Sequence, residues 1–184
     1  MRVIAGTARR QNLITPKGDD TRPTQDRIKE TLFNMIQMDV PNSVFVDLFA
    51  GSGGIGIEAL SRGAKRAYFI ENSNEPYKCI VQNLQKTHLE DKATVFRKDV
   101  VIGLRNIRED EVDIVFVDPP YKDGAYERTI EMLSQMPYVT DYTMIICESS
   151  LDEDFTFVEN YGFQVTREKL YKTNKHVFIK KIKE

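Results

Sequence analysis

Asp118-Pro119-Pro120-Tyr121 sets a carboxylate, two prolines and an aromatic ring in four consecutive positions. It follows the apolar run Val112–Val117, which reads as a buried strand. Proline has no N–H to give to a sheet ladder, so the strand stops there. A carboxylate and a ring held stiffly just past a strand end can grip a flat, weakly nucleophilic amino group. In an open α/β sheet the carboxyl ends of the strands are where ligands bind. Alone, the tetrapeptide is explained more simply by a turn and a half-buried packing tyrosine.

A second motif is Asp47-Leu48-Phe49-Ala50-Gly51-Ser52-Gly53-Gly54-Ile55-Gly56, after an earlier apolar run. Gly51, Gly53 and Gly56 satisfy the spacing G-x-G-x-x-G, whose glycines turn the chain tightly and let backbone approach a ligand. Glu71 ends the next apolar run and can accept hydrogen bonds from ribose hydroxyls. These features permit NAD, FAD or S-adenosylmethionine. Asp47 shifts the balance, because a carboxylate beside the loop repels a pyrophosphate and favours a cationic ligand. Asp47 can also tie down the loop by accepting backbone N–H groups, and both roles can hold at once. Asp99, after a third short apolar run, can accept from an adenine amino group or cap the following segment as a helix.

These residues need a frame. Ile28, Thr31, Leu32, Met35 and Ile36 recur at helical spacing after a capping Thr21 or Thr24. Strands are expected at 44–49, 67–70, 93–96, 112–117 and 143–147, with helices from Gly54 to Arg62, Glu75 to His88 and Tyr126 to Met136. Strands alternating with helices imply βαβ units and a parallel, doubly wound α/β sheet. Phe163–Tyr171 and His176–Ile182 are two further strand-like runs. Their four-residue connection, Lys172 to Lys175, is too short for a crossover helix, so they pair antiparallel. Residues 1–40 read as an arm followed by a helix, and 41–184 as the ligand-binding domain.

The chain has 184 residues, 41% of them hydrophobic and 29% charged, which suits one folded domain. Its two cysteines, Cys79 and Cys147, imply no disulfide framework, and His88 and His176 show no metal-ligand spacing. With no apolar run long enough to span a bilayer and no signal-peptide core at the N-terminus, a cytoplasmic protein with reduced cysteines is expected, and separately a monomer. Net charge is −2, which excludes a generic polyanion binder, but the charge is uneven. Arg2, Arg9, Arg10 and Lys17 precede any acid, and the tail from Arg167 is rich in lysine. Basic ends point to a local patch for an anionic partner, although terminal lysines are often only solvated.

Taken together, the glycine loop, Glu71, Asp99 and Asp-Pro-Pro-Tyr follow strands one to four in that order. The chain resembles the class I S-adenosylmethionine-dependent methyltransferases, and within them the RsmD family, which modifies N2 of a guanine in small-subunit (16S) ribosomal RNA. The opening Arg2-Val3-Ile4-Ala5-Gly6, the segment Thr21 to Asn34 and the run Asp47 to Ala64 carry the likeness too. One place departs: where the family has an Arg-Gly-Arg turn, the chain reads Arg9-Arg10-Gln11, and a left-handed turn at arginine is costly.

The resemblance implies a Rossmann-like fold, a mostly parallel seven-stranded sheet ending in an antiparallel hairpin. It implies that Asp47, Phe49, Gly51, Ser52, Gly53, Gly56, Glu71, Asn72, Asp99 and Val100 hold S-adenosylmethionine. Asp118 and the Pro119 carbonyl would accept the N–H groups of the target amine, and Tyr121 would stack on a flipped base. No metal is required. Arg9, Arg10, Lys17, Arg22 and Arg27 become candidate phosphate contacts, with Arg22 and Arg27 equally able to pair with Asp26 and Glu30. Competing readings are transfer to adenine or cytosine in DNA or to a protein glutamine, carbon methylation through Cys147, a nicotinamide oxidoreductase, and a non-catalytic RNA-binding module. Asp118-Pro119-Pro120-Tyr121 has no role in the oxidoreductase, and Cys147 lies within an apolar strand where cysteine is usually inert.

Overall fold

The computed structural model describes residues 1–18, 23–120 and 123–183. Tyr121, Arg22 and Thr21, all named above, lie outside the described residues. The elements run α1 (Pro23–Met35), β1 (Val44–Leu48), α2 (Gly54–Ser61), β2 (Arg66–Ile70), α3 (Asn74–Thr87), β3 (Ala93–Phe96), α4 (Val100–Asn106), β4 (Ile114–Val117), α5 (Ala125–Ser134), β5 (Met144–Ser150), β6 (Phe163–Leu170) and β7 (Asn174–Lys181). Pro23 opens α1, where its missing N–H costs nothing. Thr24 therefore lies inside the helix and does not cap it.

The seven strands form one sheet in the order β3-β2-β1-β4-β5-β7-β6. The first five are parallel. β7 inserts antiparallel between β5 and β6, as the short connection requires. The chain direction across the sheet reverses between β1 and β4, so the crevice at their carboxyl ends is the topological switch point. All of β1 and β4 is buried, as expected for central strands covered on both faces. Alternate side chains serve two cores: Val46, Leu48, Val115 and Val117 face one with α5, while Phe45, Phe116, Ile146 and Phe178 face the other with α1, α2 and α3.

Two differences from the sequence reading have causes in the hydrogen bonding. β4 begins at Ile114, because the Val112 N–H is spent on the Tyr138 carbonyl at 2.9 Å. The Asp113 carboxylate instead accepts from the Val44 N–H at 2.7 Å. β5 continues past Cys147 to Ser150, because β7 pairs Glu148, Ser149 and Ser150 with His176, Lys175 and Asn174. Residues 100–106 form a helix whose first turn is capped by Asp99, in line with the capping role weighed for it above.

The N-terminal arm is a small closed turn laid on the second core. Arg2 bridges Asn12, and Val3, Ala8 and Leu13 are buried with Leu32, Phe33 and Ile57. Arg10 does take the left-handed conformation, φ 72°, at the place where the family uses glycine. Glu58 of α2, fully buried, fastens the arm: its two oxygens accept from the Ile4 and Ala5 N–H groups at 2.9 and 3.1 Å. It also meets Lys29 at 3.3 Å and Arg62 at 2.8 Å. Burial lowers the Lys29 pKa and Glu58 opposes that shift. Gly6, at φ 89°, lies so close to Ser61 that a Cβ would stand 1.8 Å from the Ser61 carbonyl oxygen.

Candidate active site

Parallel register brings the ends of β1, β2, β3 and β4 to one edge of the sheet, so the loop after each strand opens onto the same crevice. The glycine loop leaves β1 through three left-handed residues, Phe49, Gly51 and Gly53, at φ 56°, 58° and 85°. Gly53 precedes α2 as its N-cap. The Ala50 N–H reaches back to the Ile70 carbonyl at 3.0 Å, which ties the loop to β2.

Carboxylates hold this loop in shape. Glu71 accepts from the Gly51 N–H and the Ser73 N–H, both at 2.8 Å. Asp47 accepts from the Gly56 N–H at 2.9 Å and is only 2% exposed. It sits beneath the loop and braces it from inside. Burial, together with Asp118 and Glu71 nearby, pushes its carboxyl well above the usual carboxylate range. Asp99 is exposed and accepts from the Ile102 N–H at 3.1 Å, so it is the cap of α4 and still faces solvent at the end of β3. Asn72 is exposed and Val100 half-buried beside them. Ser52 is bound through its carbonyl by Asn83.

Asp118 follows β4 at the same edge, half-buried, with Pro119 buried and Pro120 exposed. Burial raises the pKa of Asp47 and of the Tyr126 phenol, and the charge of Asp118 adds to both shifts. Because β4 pairs with β1 through Val117 and Leu48, Asp118 leaves the sheet beside the start of the glycine loop. The residues of the loop, Glu71, Asp99 and Asp118 are thus brought to one crevice, as their order in the chain implied.

The cations are placed differently. Arg9, Arg10 and Lys17 are exposed on the arm, and Arg27 is exposed on α1. The turn that carries Arg9 and Arg10 is anchored at Ser61, the last residue of α2, through the Thr7 N–H at 2.8 Å and the Ala8 N–H at 2.9 Å. The glycine loop is at the opposite end of α2, about 12 Å away along its axis.

Several residues at or near the site escaped the sequence reading. Asn83 of α3, completely buried, takes the Ile14 N–H at 2.6 Å and gives its own N–H groups to the Ile14 and Ser52 carbonyls at 2.8 and 3.0 Å. It joins the arm to the glycine loop. Glu148 of β5 accepts at 2.7 Å from His176 Nε2. His176 Nδ1 lies 2.8 Å from the Tyr171 hydroxyl. Burial, with Glu148 nearby, pushes the Tyr171 phenol up to about 12, so it remains a donor. The available signal was a Glu directly after the apolar run Met144–Cys147.

Known proteins share this architecture. A “Putative rRNA methyltransferase YlbH” of Bacillus subtilis is 34% identical over 174 residues, 93% of this chain and 94% of that protein. “Ribosomal RNA small subunit methyltransferase D” of Escherichia coli K12 is 36% identical over 152 residues, 83% of this chain and 76% of that protein. The solved structure described as “Putative methyltransferase yhhF from Escherichia coli” superposes with a TM-score of 0.85 at 32% identity, covering 98% of this chain and 97% of that one. The family model described as Conserved hypothetical protein 95 matches residues 1–180. On this match and these relatives, the chain belongs to the RsmD family of methyltransferases.

Proposed function

We propose that the chain transfers a methyl group from S-adenosylmethionine to the exocyclic N2 amine of a guanine in small-subunit ribosomal RNA. The observation that carries this is Asp118-Pro119-Pro120 standing at the switch-point crevice beside an acid-lined glycine loop. Relatives named as ribosomal RNA methyltransferases support the RNA substrate, and such a substrate agrees with a cytoplasmic location.

The donor set fits S-adenosylmethionine. From Asp47 to Gly56 there is no Lys or Arg to neutralise a pyrophosphate, whereas Asp47, Glu71 and Asp99 suit a ligand bearing cationic groups, ribose hydroxyls and an adenine amine. Backbone at Phe49, Gly51, Ser52, Gly53 and Gly56 would line its approach, with Asn72 and Val100 beside the adenine. When bound, S-adenosylmethionine supplies an already activated methyl on its sulfonium.

The chain's own residues then have to align the acceptor. A guanine amine is a poor nucleophile because its lone pair is delocalised into the ring. Asp118 accepts one N–H of the amine and the Pro119 carbonyl accepts the other, which turns the nitrogen toward tetrahedral geometry and aims its lone pair. The proton of the methylated amine leaves to Asp118 or to water. Tyr121 stacks on the base, a contact worth ~1–3 kcal/mol, and the base must leave its helix to reach the crevice. Residues 1–40 act as the RNA-binding extension, with Arg9, Arg10, Lys17, Arg22 and Arg27 touching phosphates.

Incubation with tritiated cofactor and, separately, small-subunit particles, naked ribosomal RNA, duplex DNA and protein tests the substrate class. Label in RNA or particles is expected. Label only in DNA or only in protein overturns the reading in favour of those acceptors.

A further inference from the structure

We propose that Glu148 is a specificity-determining residue that accepts the N1–H of the target guanine. This rests on the guanine reading above and adds a second contact to it. Val117 of β4 pairs in register with Cys147 of β5. Asp118 directly follows β4 and Glu148 is the next residue of β5, so the two carboxylates leave neighbouring strands at the same level of the crevice. Burial raises the pKa of the Tyr126 phenol, and the nearby Asp118 and Glu148 add to that shift.

Glu148 is held as few surface carboxylates are. Its cross-strand partner on β7 is His176, whose side chain is 1% exposed while that of Glu148 is 28% exposed. With Glu148 ionised, the 2.7 Å contact is an Nε2–H donating to its carboxylate, and the Tyr171 hydroxyl donates to Nδ1. The imidazole is wedged edge-on against Phe116 and Tyr171, with ring centroids at 6.2 and 5.1 Å. The Glu148 main chain is fixed as well, because its carbonyl accepts from the Tyr126 hydroxyl. The buried imidazole thus positions a carboxylate that still reaches solvent at the reaction edge. A carboxylate accepts about four hydrogen bonds at most, so the bond from His176 is compatible with one from a ligand.

The chemistry of the bases selects the occupant. Next to its amine, guanine presents a second donor, N1–H. Adenine and cytosine present an unprotonated ring nitrogen beside their amines. Two adjacent carboxylates match the donor pair of guanine and repel the donor–acceptor edge of the others, which gives selectivity by rejection as well as attraction.

The test uses the whole chain and a ribosomal RNA substrate carrying either guanine or 2-aminopurine at the methylated position. 2-Aminopurine keeps the amine and lacks N1–H. The wild type is expected to prefer guanine in kcat/KM, and Glu148→Gln, whose amide can still accept from His176, is expected to shrink that preference roughly 10- to 100-fold. His176→Gln should shrink it less, in the same direction. A Glu148→Gln protein that slows on both substrates equally, leaving the ratio unchanged, overturns the proposal and makes Glu148 structural. If Glu148→Gln fails to fold, Glu148→Asp is read the same way: a reduced ratio supports the proposal and an unchanged ratio overturns it. A wild type that transfers nothing to guanine overturns the guanine reading itself, and this contact with it.

Discussion

On the glycine-loop side of the crevice, carboxylates hold backbone N–H groups that are near them in the chain. Asp99 caps three residues ahead, Asp47 reaches nine residues ahead, and Glu71 reaches back 20 residues and forward two. Other ties span more of the chain: a side-chain pair beside Asp118, and side-chain oxygens that hold the backbone of the arm. Glu148 is set by His176, 28 residues on, and the arm is fastened to Glu58 across more than 50 residues. Short ties shape a loop wherever its two strands are paired. Long ties exist only in the finished fold, so the acceptor side depends on the hairpin and arm being in place. Disturbing the buried Glu58 tie is therefore expected to weaken the whole fold.

The largest effect is expected at the junction of the two sides. Asp118→Ala should lower kcat by about 10²–10⁴-fold while S-adenosylmethionine still raises the melting temperature as in the wild type. Loss of that thermal shift would mean that Asp118 belongs to the loop side. The next effect is a long tie. Glu58→Ala leaves the buried Lys29 ammonium with the Arg2 carbonyl but without its carboxylate partner and should cost about 3–5 kcal/mol in urea unfolding. A cost below about 1 kcal/mol would show that the arm is not held by this cluster.

A short tie should behave otherwise. Asp47 has a folded pKa above its unfolded value, because of burial and the nearby Asp118 and Glu71. Such a group contributes stability that is fully present below its unfolded pKa and is lost as pH rises through the raised folded pKa. Asp47→Asn, neutral throughout, should match the wild type at acid pH and become the more stable protein as pH climbs through that window. It should also lose affinity for the cationic cofactor at neutral pH. Parallel stability curves at all pH values would contradict this. The smallest effect is on the arm. Arg10→Gly removes a left-handed arginine and should stabilise by about 1 kcal/mol, while lowering the salt slope of RNA binding by about 0.7–0.9. An unchanged slope would place the RNA phosphates elsewhere.

The same contrast explains what could be read without coordinates. The alternating strands and helices, the glycine loop and the Asp-Pro-Pro stop are local patterns, and the sheet places them as their spacing implies. The short connection after Tyr171 revealed the antiparallel hairpin. Glu148, His176, Asn83 and Glu58 were not legible as site or anchor residues, because each acquires its role from a partner far along the chain. His176, isolated in the sequence, is buried in the fold between a carboxylate and a phenol. The end of β5 was misplaced for a related reason, since its last three residues are strand only because β7 pairs with them. Arg10 shows the converse: a local cost correctly recognised, yet overridden by the hydrogen bonds that close the arm from Arg10 to Val3 and from Val3 to Gln11.

The chemical identity of the product tests the central claim most directly. Small-subunit particles methylated by the protein can be digested to nucleosides and the new methyl located by mass spectrometry. N2-methylguanosine, absent when Asp118→Ala replaces the wild type, is the predicted result. A methyl on a ring nitrogen of guanine, or on the amine of adenine or cytosine, would contradict it.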